Sequence, residues 1–373
     1  MVRRIILPFK VAEPILACGA DLKGAFAFAK GKEAVLVDGF GDLGALDNFT
    51  RYETAVKEYR KRLRINLKIV ACDLHPGYLS TRFAENYTLS AKRYTLRKIQ
   101  HHEAHIASAI TDNNIEGRVI GVAFDGTGYG SDGNIWGGEF FAVSRSPLAD
   151  RFDFKRVAHL DYIPMPGGER AVKEPWRMAV SYLYRAFGRR LPDIAQRWPK
   201  RRLAIMLKMI DGKINSPLTS SAGRLFDAVG SLVLNKDSVS REAELPVELE
   251  RMADKDVENA YRLRGREILN PSGIIKKVVA DVAKETGAPE IAAKFHNTIA
   301  ALVCETSLKL SKKLKTKQVV LSGGVFQNIY LVGRIRDMLT ANGLRVYFHA
   351  ALPTNDSGIP IGQIAIANSV VRR

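Results

Sequence analysis

Cysteine is scarce in this chain of 373 residues, and long apolar runs are absent. The three cysteines, Cys18, Cys72 and Cys304, lie far apart and cannot supply a four-cysteine zinc site or a disulfide framework. We therefore expect a reducing, cytoplasmic environment. No segment has the length and apolarity of a membrane span, and Pro8 interrupts the basic start of the chain before it resembles a signal peptide.

Acidic residues are also in deficit. The chain has 57 lysines and arginines against 39 aspartates and glutamates, which gives a formal net charge of +18. Such a charge suits RNA, an acidic protein partner or an anionic nucleotide. The densest basic runs are Arg60-Lys61-Arg62-Leu63-Arg64, Lys200-Arg201-Arg202 and Lys312-Lys313-Leu314-Lys315. Aromatic residues do not interleave them in a base-stacking pattern, which favours a solvated basic surface over nucleic-acid binding.

Three of the seven histidines lie within the stretch His101-His102-Glu103-Ala104-His105. The stretch begins a predicted helix, on which His101 and His105 lie one turn apart on the same face. Two neutral imidazoles in this arrangement bind one metal ion, and further ligands must come from elsewhere in the chain. The zinc-protease pattern is not met, because it needs a histidine where Ile106 stands. The structural alternative is a helix cap with one buried, hydrogen-bonded histidine.

The order of the predicted elements repeats along the chain. Strands are predicted at 15–17, 25–29, 33–38, 68–73 and 96–100, with helices at 46–62, from about Ser80, and from His101. A second three-strand set is predicted at 119–124, 135–143 and 156–163. A mostly helical region follows at about 174–312, with a charged and mobile stretch near 235–250, and then strands at 318–321 and 345–348, each followed by a helix. This order predicts two α/β lobes with a nucleotide cleft between them, although no residue-level repeat is visible.

Glycine and acidic residues follow several of the predicted strands. Asp125-Gly126-Thr127-Gly128 is predicted as a turn directly after a buried strand, where glycines allow a phosphate to approach the backbone. Asp125 is placed to reach a metal or a Mg²⁺-bound phosphate. Ser322-Gly323-Gly324 precedes a helix whose free N–H groups suit an anion, and Asp356 lies between the last strand and the closing helix. An ordinary hairpin and an ordinary N-cap are the alternatives for the first and last of these, but strand ends facing a cleft are where α/β proteins bind ligands.

A further glycine and acid stand at the start of a predicted helix, in Ser221-Ala222-Gly223-Arg224-Leu225-Phe226-Asp227. Asp227 is a candidate for binding ribose hydroxyls. The alternative is an ion pair between Asp227 and Arg224.

Six segments together carry a resemblance to a known family. They are Asp73-Leu74-His75-Pro76-Gly77-Tyr78-Leu79-Ser80-Thr81-Arg82, the histidine cluster, Phe124-Asp125-Gly126-Thr127-Gly128-Tyr129-Gly130, Ile135-Trp136-Gly137-Gly138-Glu139-Phe140, Glu174-Pro175-Trp176-Arg177-Met178-Ala179 and Gly323-Gly324-Val325-Phe326-Gln327-Asn328. From about Ile15 to the C-terminus the chain resembles the C-terminal carbamoyltransferase domain of the HypF family of hydrogenase maturation factors. The tRNA threonylcarbamoyladenosine transferases and antibiotic O-carbamoyltransferases share the fold and the two spaced histidines. The Gly-Gly-Val-Phe-Gln-Asn and Asp-Leu-His-Pro motifs favour the HypF family.

The resemblance implies the duplicated ribonuclease-H-like fold of the actin, sugar-kinase and Hsp70 superfamily. Residues 1–117 with 355–373 are expected to form the first lobe, and residues 118–354 the second, with the helical insertion at about 174–312. The metal positions fall on His101, His105, Asp125 and Asp356. The nucleotide positions fall on Gly126, Thr127, Gly128, Gly223, Asp227, Gly323, Gly324 and Asn328. One divalent metal, iron or zinc, is expected, with ATP, AMP or carbamoyl-adenylate as ligand and Mg²⁺ as a further candidate.

The implied reaction moves a carbamoyl group from carbamoyl-adenylate to the C-terminal cysteine of a HypE-type partner. No catalytic side chain is assigned, because the nucleophile comes from that partner. Two residues depart from the family pattern: Glu103 stands where a third histidine is usual, and Ser357 where a glycine is usual. HypF proteins carry acylphosphatase, zinc-finger and YrdC-like adenylate-forming domains ahead of this one, so a separate YrdC-like protein or missing N-terminal domains are expected to supply carbamoyl-adenylate. The alternatives are a tRNA-modifying or small-molecule O-carbamoyltransferase and a nucleotide-binding partner without catalysis.

Overall fold

The computed structural model describes residues 1–91, 94–146, 151–261 and 268–369. The strands are β1 (Val2–Ile6), β2 (Ile15–Ala17), β3 (Phe26–Lys30), β4 (Glu33–Val37), β5 (Ile69–Asp73), β6 (Thr95–Ile99), β7 (Gly117–Tyr129), β8 (Ile135–Ser146), β9 (Arg151–Leu160), β10 (Ile163–Pro164), β11 (Leu218–Thr219), β12 (Ile268–Leu269), β13 (Gln318–Ser322) and β14 (Arg345–Tyr347). The helices are α1 (Leu46–Arg62), α2 (Leu79–Ala91), α3 (His101–Asp112), α4 (Arg170–Lys173), α5 (Trp176–Phe187), α6 (Lys200–Asp211), α7 (Ala222–Leu234), α8 (Glu244–Met252), α9 (Ser272–Ala283), α10 (Ala288–Leu314), α11 (Ile329–Ala341) and α12 (Ile359–Ser369). Short 3₁₀ helices lie at Asp193–Arg197, Gly324–Gln327 and Asp356–Gly358. Within these described ranges, no helix combines the length and the apolarity needed to cross a membrane.

The duplication is visible in the order of the strands. The first sheet runs β1-β4-β3-β2-β5-β6, with β3 antiparallel to its neighbours β2 and β4, and β5 parallel to both β2 and β6. In the second sheet β9, β8 and β7 are antiparallel neighbours, and β13 runs parallel to β7 and β14. When β1 is left out, the first sheet contains β4-β3-β2-β5-β6 and the second contains β9-β8-β7-β13-β14. Counted along the chain, both sheets place their five main strands in the spatial order 3-2-1-4-5. The expected α/β fold with two ribonuclease-H-like units is confirmed.

The first strand of the second unit is longer than the sequence indicated. β7 continues through Tyr129, because Gly128 and Tyr129 pair with Trp136 and Ile135 of β8 after a bulge that follows Phe124. The prediction of a turn beginning at Asp125 is therefore wrong. The glycines that suggested a turn accommodate a bulge and close packing inside a strand. The chain reverses only after β7, where the Gly130 N–H donates to the Asn134 carbonyl.

The helical insertion packs on the second sheet. Its large buried side chains, including Trp176, Phe226 and Phe295, join strand residues such as Phe124 in one core cluster. The stretch near 235–250, which we expected to be mobile, includes α8, whose Leu245 and Leu249 are fully buried. That expectation is wrong over α8, because two leucines one turn apart supply a core-facing stripe among the charges.

The closing helix α12 lies against the first unit. A Cβ atom at Gly362 would lie 1.8 Å from the Ala104 carbonyl oxygen, so α12 touches the backbone of α3 directly. The buried Gln363 amide accepts from the Gly19 N–H and donates to the Gly19 carbonyl. We propose on this basis that residues 355–373 belong with residues 1–117 in one lobe and that residues 118–354 form the other.

Candidate metal and nucleotide site

The helix that carries the histidines begins as predicted. Gln100 is its N-cap, and the Gln100 side chain accepts from the Glu103 N–H at 2.9 Å, which satisfies one of the free donors of the first turn. His101 and His105 lie on one face, and both are at most 1% exposed. The one-turn spacing thus places two imidazoles side by side in the interior.

Two aspartates from distant parts of the chain meet these imidazoles. The Nε2 atoms of His101 and His105 lie 3.4 and 3.2 Å from Asp125 Oδ2, and 3.7 and 3.4 Å from Asp356 Oδ1. Asp125 lies in β7, and Asp356 begins the 3₁₀ helix before α12. The four residues that the sequence indicated as metal ligands therefore form one group whose ligand atoms all lie within 4.8 Å of one another.

The spacing fits a single bound ion. Zinc-type ligand distances of about 2.0–2.2 Å in a tetrahedral array separate neighbouring ligand atoms by about 3.3–3.6 Å. The four measured histidine–aspartate distances run from 3.2 to 3.7 Å. The His101 Nε2, His105 Nε2 and Asp125 Oδ2 atoms are also buried without a hydrogen bond to any described residue. Buried polar atoms that share one small space and lack hydrogen bonds are the donor set that a metal ion satisfies.

The charges of the group compensate one another. Burial by itself lowers the pKa of His101, but Asp73, Asp125 and Asp356 reverse this, so the net pKa lies well above its ordinary value. Burial likewise raises the pKa of the Asp125 carboxyl, but His101 and His105 outweigh it and hold that pKa well below its usual range. A divalent cation bound here would take over the role of the imidazole protons and release them.

One further carboxylate orients the first histidine. Asp73, at the end of β5 and fully buried, lies 2.7 Å from His101 Nδ1 through its Oδ2 atom. A hydrogen bond at Nδ1 leaves Nε2 of the same ring free to face the ligand group. Asp73 was part of a recognised motif, but the sequence reasoning did not assign it to the site. Asp73 lies at the end of a predicted strand, as Asp125 was also predicted to do, and that placement was the available signal.

Asp125 also joins the metal group to the glycine turn. Its Oδ1 atom accepts from the Gly126 N–H at 2.8 Å and from the Gly324 N–H at 3.1 Å, while Oδ2 faces the histidines. The two oxygens of one carboxylate thus hold the turn after β13 beside the ligand group. The predicted metal ligands and the predicted nucleotide-binding turn at Gly323-Gly324 are therefore adjacent.

The other nucleotide candidates gather around the same end of β7. A Cβ atom at Gly223 would lie 2.9 Å from the Gly126 Cα atom, so α7 approaches β7 backbone to backbone. The Ser221 hydroxyl lies 2.7 and 2.6 Å from the Asp125 and Gly126 carbonyl oxygens and accepts from the Arg224 N–H. Thr127 follows at the bulge and is partly exposed.

Two of the glycines have packing reasons of their own. A Cβ atom at Gly128 would lie 2.4 Å from His102 Cε1 and 2.8 Å from His101 Cδ2. Gly323 has a φ of 108° and lies against the Phe124 backbone, where a Cβ would meet the carbonyl oxygen at 2.3 Å. Both glycines allow close approach between protein segments, and their contact with a nucleotide stays a prediction.

The start of α11 differs from the expectation of free N–H groups. The Ile329 N–H donates to Glu250 Oε1 at 2.6 Å, and the Leu331 N–H donates to the Asn328 side chain at 2.8 Å. The Asn328 amide nitrogen lies 2.8 Å from Nε2 of the buried His296. The expectation of free donors is therefore wrong at these two positions, because an acid from α8 and the N-cap residue occupy them, and Asn328 acts as a cap.

Asp227 lies deeper than a simple ribose contact requires. It is 4% exposed, and its Oδ2 atom lies 3.0 Å from Arg224 Nη2, the ion pair that the sequence left open as an alternative. Burial raises the pKa of Asp227 to about 6, although Arg224 opposes this. Arg224 Nε and Nη1 make no hydrogen bond to any described residue. The Nη2 atom of the same buried arginine lies 3.6 Å from where a Cβ atom at Gly126 would stand, which makes Arg224 a phosphate-binding candidate that the sequence did not indicate.

We expect Asp227→Asn to weaken AMP binding by about 1–3 kcal/mol, the cost of a lost hydrogen bond to a buried polar group. Asparagine keeps the shape of the side chain, so the change tests the carboxylate rather than the packing. Isothermal calorimetry with AMP measures the effect, with the exposed Asp337→Asn as the matched control. Equal affinity in the Asp227 variant and the wild type would remove Asp227 from the nucleotide site.

Comparisons with known protein families cover most of the chain. Residues 10–112 match the family model described as "HypF Kae1-like domain". Residues 121–363 match "Carbamoyltransferase, Kae1-like Domain, second subdomain".

Relatives of two lengths match the chain. Carbamoyltransferase HypF2 of Cupriavidus necator is 32% identical over 95% of this chain and 46% of its own length. A shorter Cupriavidus necator protein, a carbamoyltransferase HypF homolog, is 32% identical over 95% of this chain and 91% of its own length. A crystal structure of full-length HypF in a phosphate- and nucleotide-bound form superimposes with a TM-score of 0.92 at 35% identity, over 100% of this chain and 57% of that one. The chain thus spans about half the length of the longer relatives and nearly the whole of the shorter one.

The matched ranges include all four residues of the candidate metal group and all the nucleotide candidates. The chain therefore belongs to the HypF carbamoyltransferase family and corresponds to its Kae1-like region.

Proposed function

We propose that this chain transfers a carbamoyl group from carbamoyl-adenylate to the C-terminal cysteine of a HypE-type acceptor protein in nickel–iron hydrogenase maturation. The observation that carries the proposal is the buried group of His101, His105, Asp125 and Asp356, joined through Asp125 Oδ1 to the glycine turn at Gly324. The Asp125 carboxylate thus contacts both the histidines of the metal group and the backbone of the glycine turn. A mixed anhydride of a carbamoyl group and AMP has a carbamoyl end that suits the metal group and a phosphate end that suits the glycine turn.

We propose that the AMP portion binds along Gly126, Thr127, Gly223 and Gly324, with Arg224 at the phosphate. Asp227 would lie near the ribose. A fixed guanidinium stabilises phosphate charge without reorganising during the reaction, which makes AMP a better leaving group.

A divalent iron or zinc ion held by the four ligands would supply a Lewis acid for the negative charge that develops on the carbamoyl or phosphate oxygens. The acceptor thiolate attacks the carbamoyl carbon, so a C–S bond forms while the C–O bond to the phosphate breaks. AMP leaves with the electron pair of that bond, and the thiol proton is released to solvent. The products are the S-carbamoyl cysteine and AMP, and no serine or cysteine of this chain is needed as a nucleophile.

A peptide tail must reach the metal group for this reaction. Asp125 and Asp356 are each 8% exposed, whereas His101 is fully buried and His105 is 1% exposed, so the carboxylates form the side nearer solvent. The net charge of +18 would attract an acidic acceptor, because charge complementarity accelerates association at low salt. We expect transfer to slow as salt rises.

The test is a reconstitution with each component omitted in turn. The chain is incubated with carbamoyl phosphate, ATP, a separate YrdC-like activating protein and the acceptor, and the acceptor is analysed by mass spectrometry. We expect one carbamoyl group on the C-terminal cysteine, no product without the activating protein, and no product when that cysteine is replaced by alanine.

Two outcomes would contradict the proposal. Release of AMP that depends on carbamoyl phosphate but not on the activating protein would show that the chain makes its own carbamoyl-adenylate. Carbamoylation of tRNA or of a small-molecule hydroxyl, with none on the thiol, would assign the chain to a related transferase activity.

A further inference from the structure

A row of buried polar side chains leads away from His105 of the candidate metal group. His105 Nδ1 lies 3.4 Å from Ser322 Oγ, and Ser322 Oγ lies 2.9 Å from His349 Nε2. His349 Nδ1 lies 3.7 Å from Asp112 Oδ2, with the two side chains 1% and 6% exposed. The sequence reasoning assigned only His105 of these four residues to the site.

The protons of this row have one arrangement that leaves His105 able to bind a metal. Nε2 of His105 must offer its lone pair to the ion, so the ring proton is on Nδ1 and points to Ser322. The Ser322 oxygen accepts a hydrogen bond from His105 Nδ1–H, and the Ser322 hydroxyl donates a hydrogen bond to His349 Nε2. His349 then carries its proton on Nδ1, which faces the Asp112 carboxylate. The reverse order would place a proton on His105 Nε2, where the metal must bind.

Asp112 connects the same row to the other side of the metal group. Its carboxylate accepts from the backbone N–H groups of Ala350, Ala351 and Leu352, with shortest distances of 2.7, 3.0 and 3.0 Å. These residues begin the loop that leads from β14 to Asp356. Asp112 lies on α3, two turns after His105, so it ties the helix that carries the histidines to the loop that carries an acidic ligand.

A serine, a histidine and an aspartate in a row also resemble a hydrolytic triad. Ser322 is 0% exposed, however, and its hydroxyl lies between two imidazoles. A nucleophile must meet its substrate within hydrogen-bond reach, and Ser322 has no such access. The arrangement suits orientation of a neighbouring group.

We propose that Ser322 and His349 are positioning residues that hold the His105 ring in its metal-binding tautomer and orientation, with the Asp112 carboxylate as the charge nearest to His349 Nδ1, at 3.7 Å. The inference rests on the metal site of the proposed function. Partners at the distal ring nitrogen of a metal-binding histidine typically change metal affinity by about 10–100-fold.

The test uses cobalt(II) as a spectroscopic probe, titrated into the metal-free full chain. We expect Ser322→Ala and His349→Leu each to weaken cobalt binding by about 10–100-fold and to shift the visible absorption of the bound ion. His349→Gln should retain most of the affinity, because a glutamine amide can accept from Ser322 and donate to Asp112. The Ser322→Ala/His349→Leu double variant should bind cobalt only slightly more weakly than the single variant with the lower cobalt affinity, since both changes interrupt the same row.

Ser307→Ala is the matched control. Ser307 is also a fully buried serine, but its hydroxyl makes no hydrogen bond to any described residue, so cobalt binding should be unchanged. Thermal melting of every variant separates a loss of folding from a loss of metal affinity. Wild-type cobalt affinity in Ser322→Ala, additive losses in the double variant, or equal losses in His349→Gln and His349→Leu would each overturn the inference. If the wild-type chain binds no cobalt, the metal site of the proposed function fails as well, so the two failures are distinguishable.

Discussion

Replacing His101 and His105 together with alanine should reduce bound divalent metal from about one ion per chain to none, because two of about four ligands are lost at once. Both Nε2 atoms lie 3.2–3.7 Å from the same two aspartate oxygens, and neither makes a hydrogen bond to a described residue. The remaining carboxylates cannot hold iron or zinc in place of the imidazoles, since nitrogen ligands supply much of the affinity for these metals. Elemental analysis of the purified protein measures the effect.

The control for this experiment is His159→Ala. His159 is partly buried, and its Nδ1 atom lies 2.7 Å from the Leu160 carbonyl oxygen, outside the ligand group. Asp356→Asn provides a second, isosteric test of the ligand group and should also lower the metal content. Unchanged metal in the double-histidine variant would place the metal of this protein at another site.

Gly128→Ala should weaken metal binding by about 100-fold or more, although residue 128 is not a ligand. A methyl group there would lie 2.4 Å from His102 Cε1 and 2.8 Å from His101 Cδ2, well inside contact distance. The His101 ring must move or β7 must bend, and either change disturbs the spacing of His101 and Asp125. Calorimetry with cobalt(II) measures the affinity, and melting curves report the accompanying loss of stability.

Gly333→Ala is the matched glycine control. Gly333 lies inside α11, and a Cβ atom there meets nothing within 4 Å. Alanine in a helix interior is favoured over glycine by about 1 kcal/mol, so this variant should be as stable as the wild type or more so, with unchanged metal affinity. Wild-type metal affinity in Gly128→Ala would mean that the space around the histidines is less constrained than the packing indicates.

The structure brings the four predicted metal ligands together, and the sequence signals that indicated them were local. A one-turn spacing brings His101 and His105 together on any helix, and acids that follow buried strands lie at the edge of a sheet. The glycine pattern at 126–128 was less informative, since glycine serves a turn, a bulge and close packing equally well. Its reading as a turn was wrong because the pairing of Gly128 with Trp136 depends on a register that only the neighbouring strand determines.

The residues that the sequence reasoning missed share a different property. Ser322 and His349 belong to β13 and the segment after β14. Ser322 meets both His105 and His349, and its position is fixed by the parallel pairing that places Ser322 opposite Ala123. Arg224 stood next to a predicted residue, but the position of its Nη2 atom near Gly126 depends on how α7 docks on β7. Contacts between residues so far apart in the chain do not follow any fixed sequence separation, so a sequence pattern does not predict them.

The family resemblance implied the full set of four metal positions. The sequence by itself determined the repeated order of strands and helices, the α/β class and the one-turn spacing of His101 and His105. Those features depend on hydrophobic periodicity and short-range spacing, which each segment carries on its own. Only the tertiary structure decided that Asp125 holds Gly324 with one oxygen while it faces the histidines with the other, and that Glu250 caps the start of α11. It also decided that α12 packs against α3 closely enough to bring Asp356 to the histidines. These arrangements join residues far apart in the chain, and they form because packing and burial leave each polar group few partners.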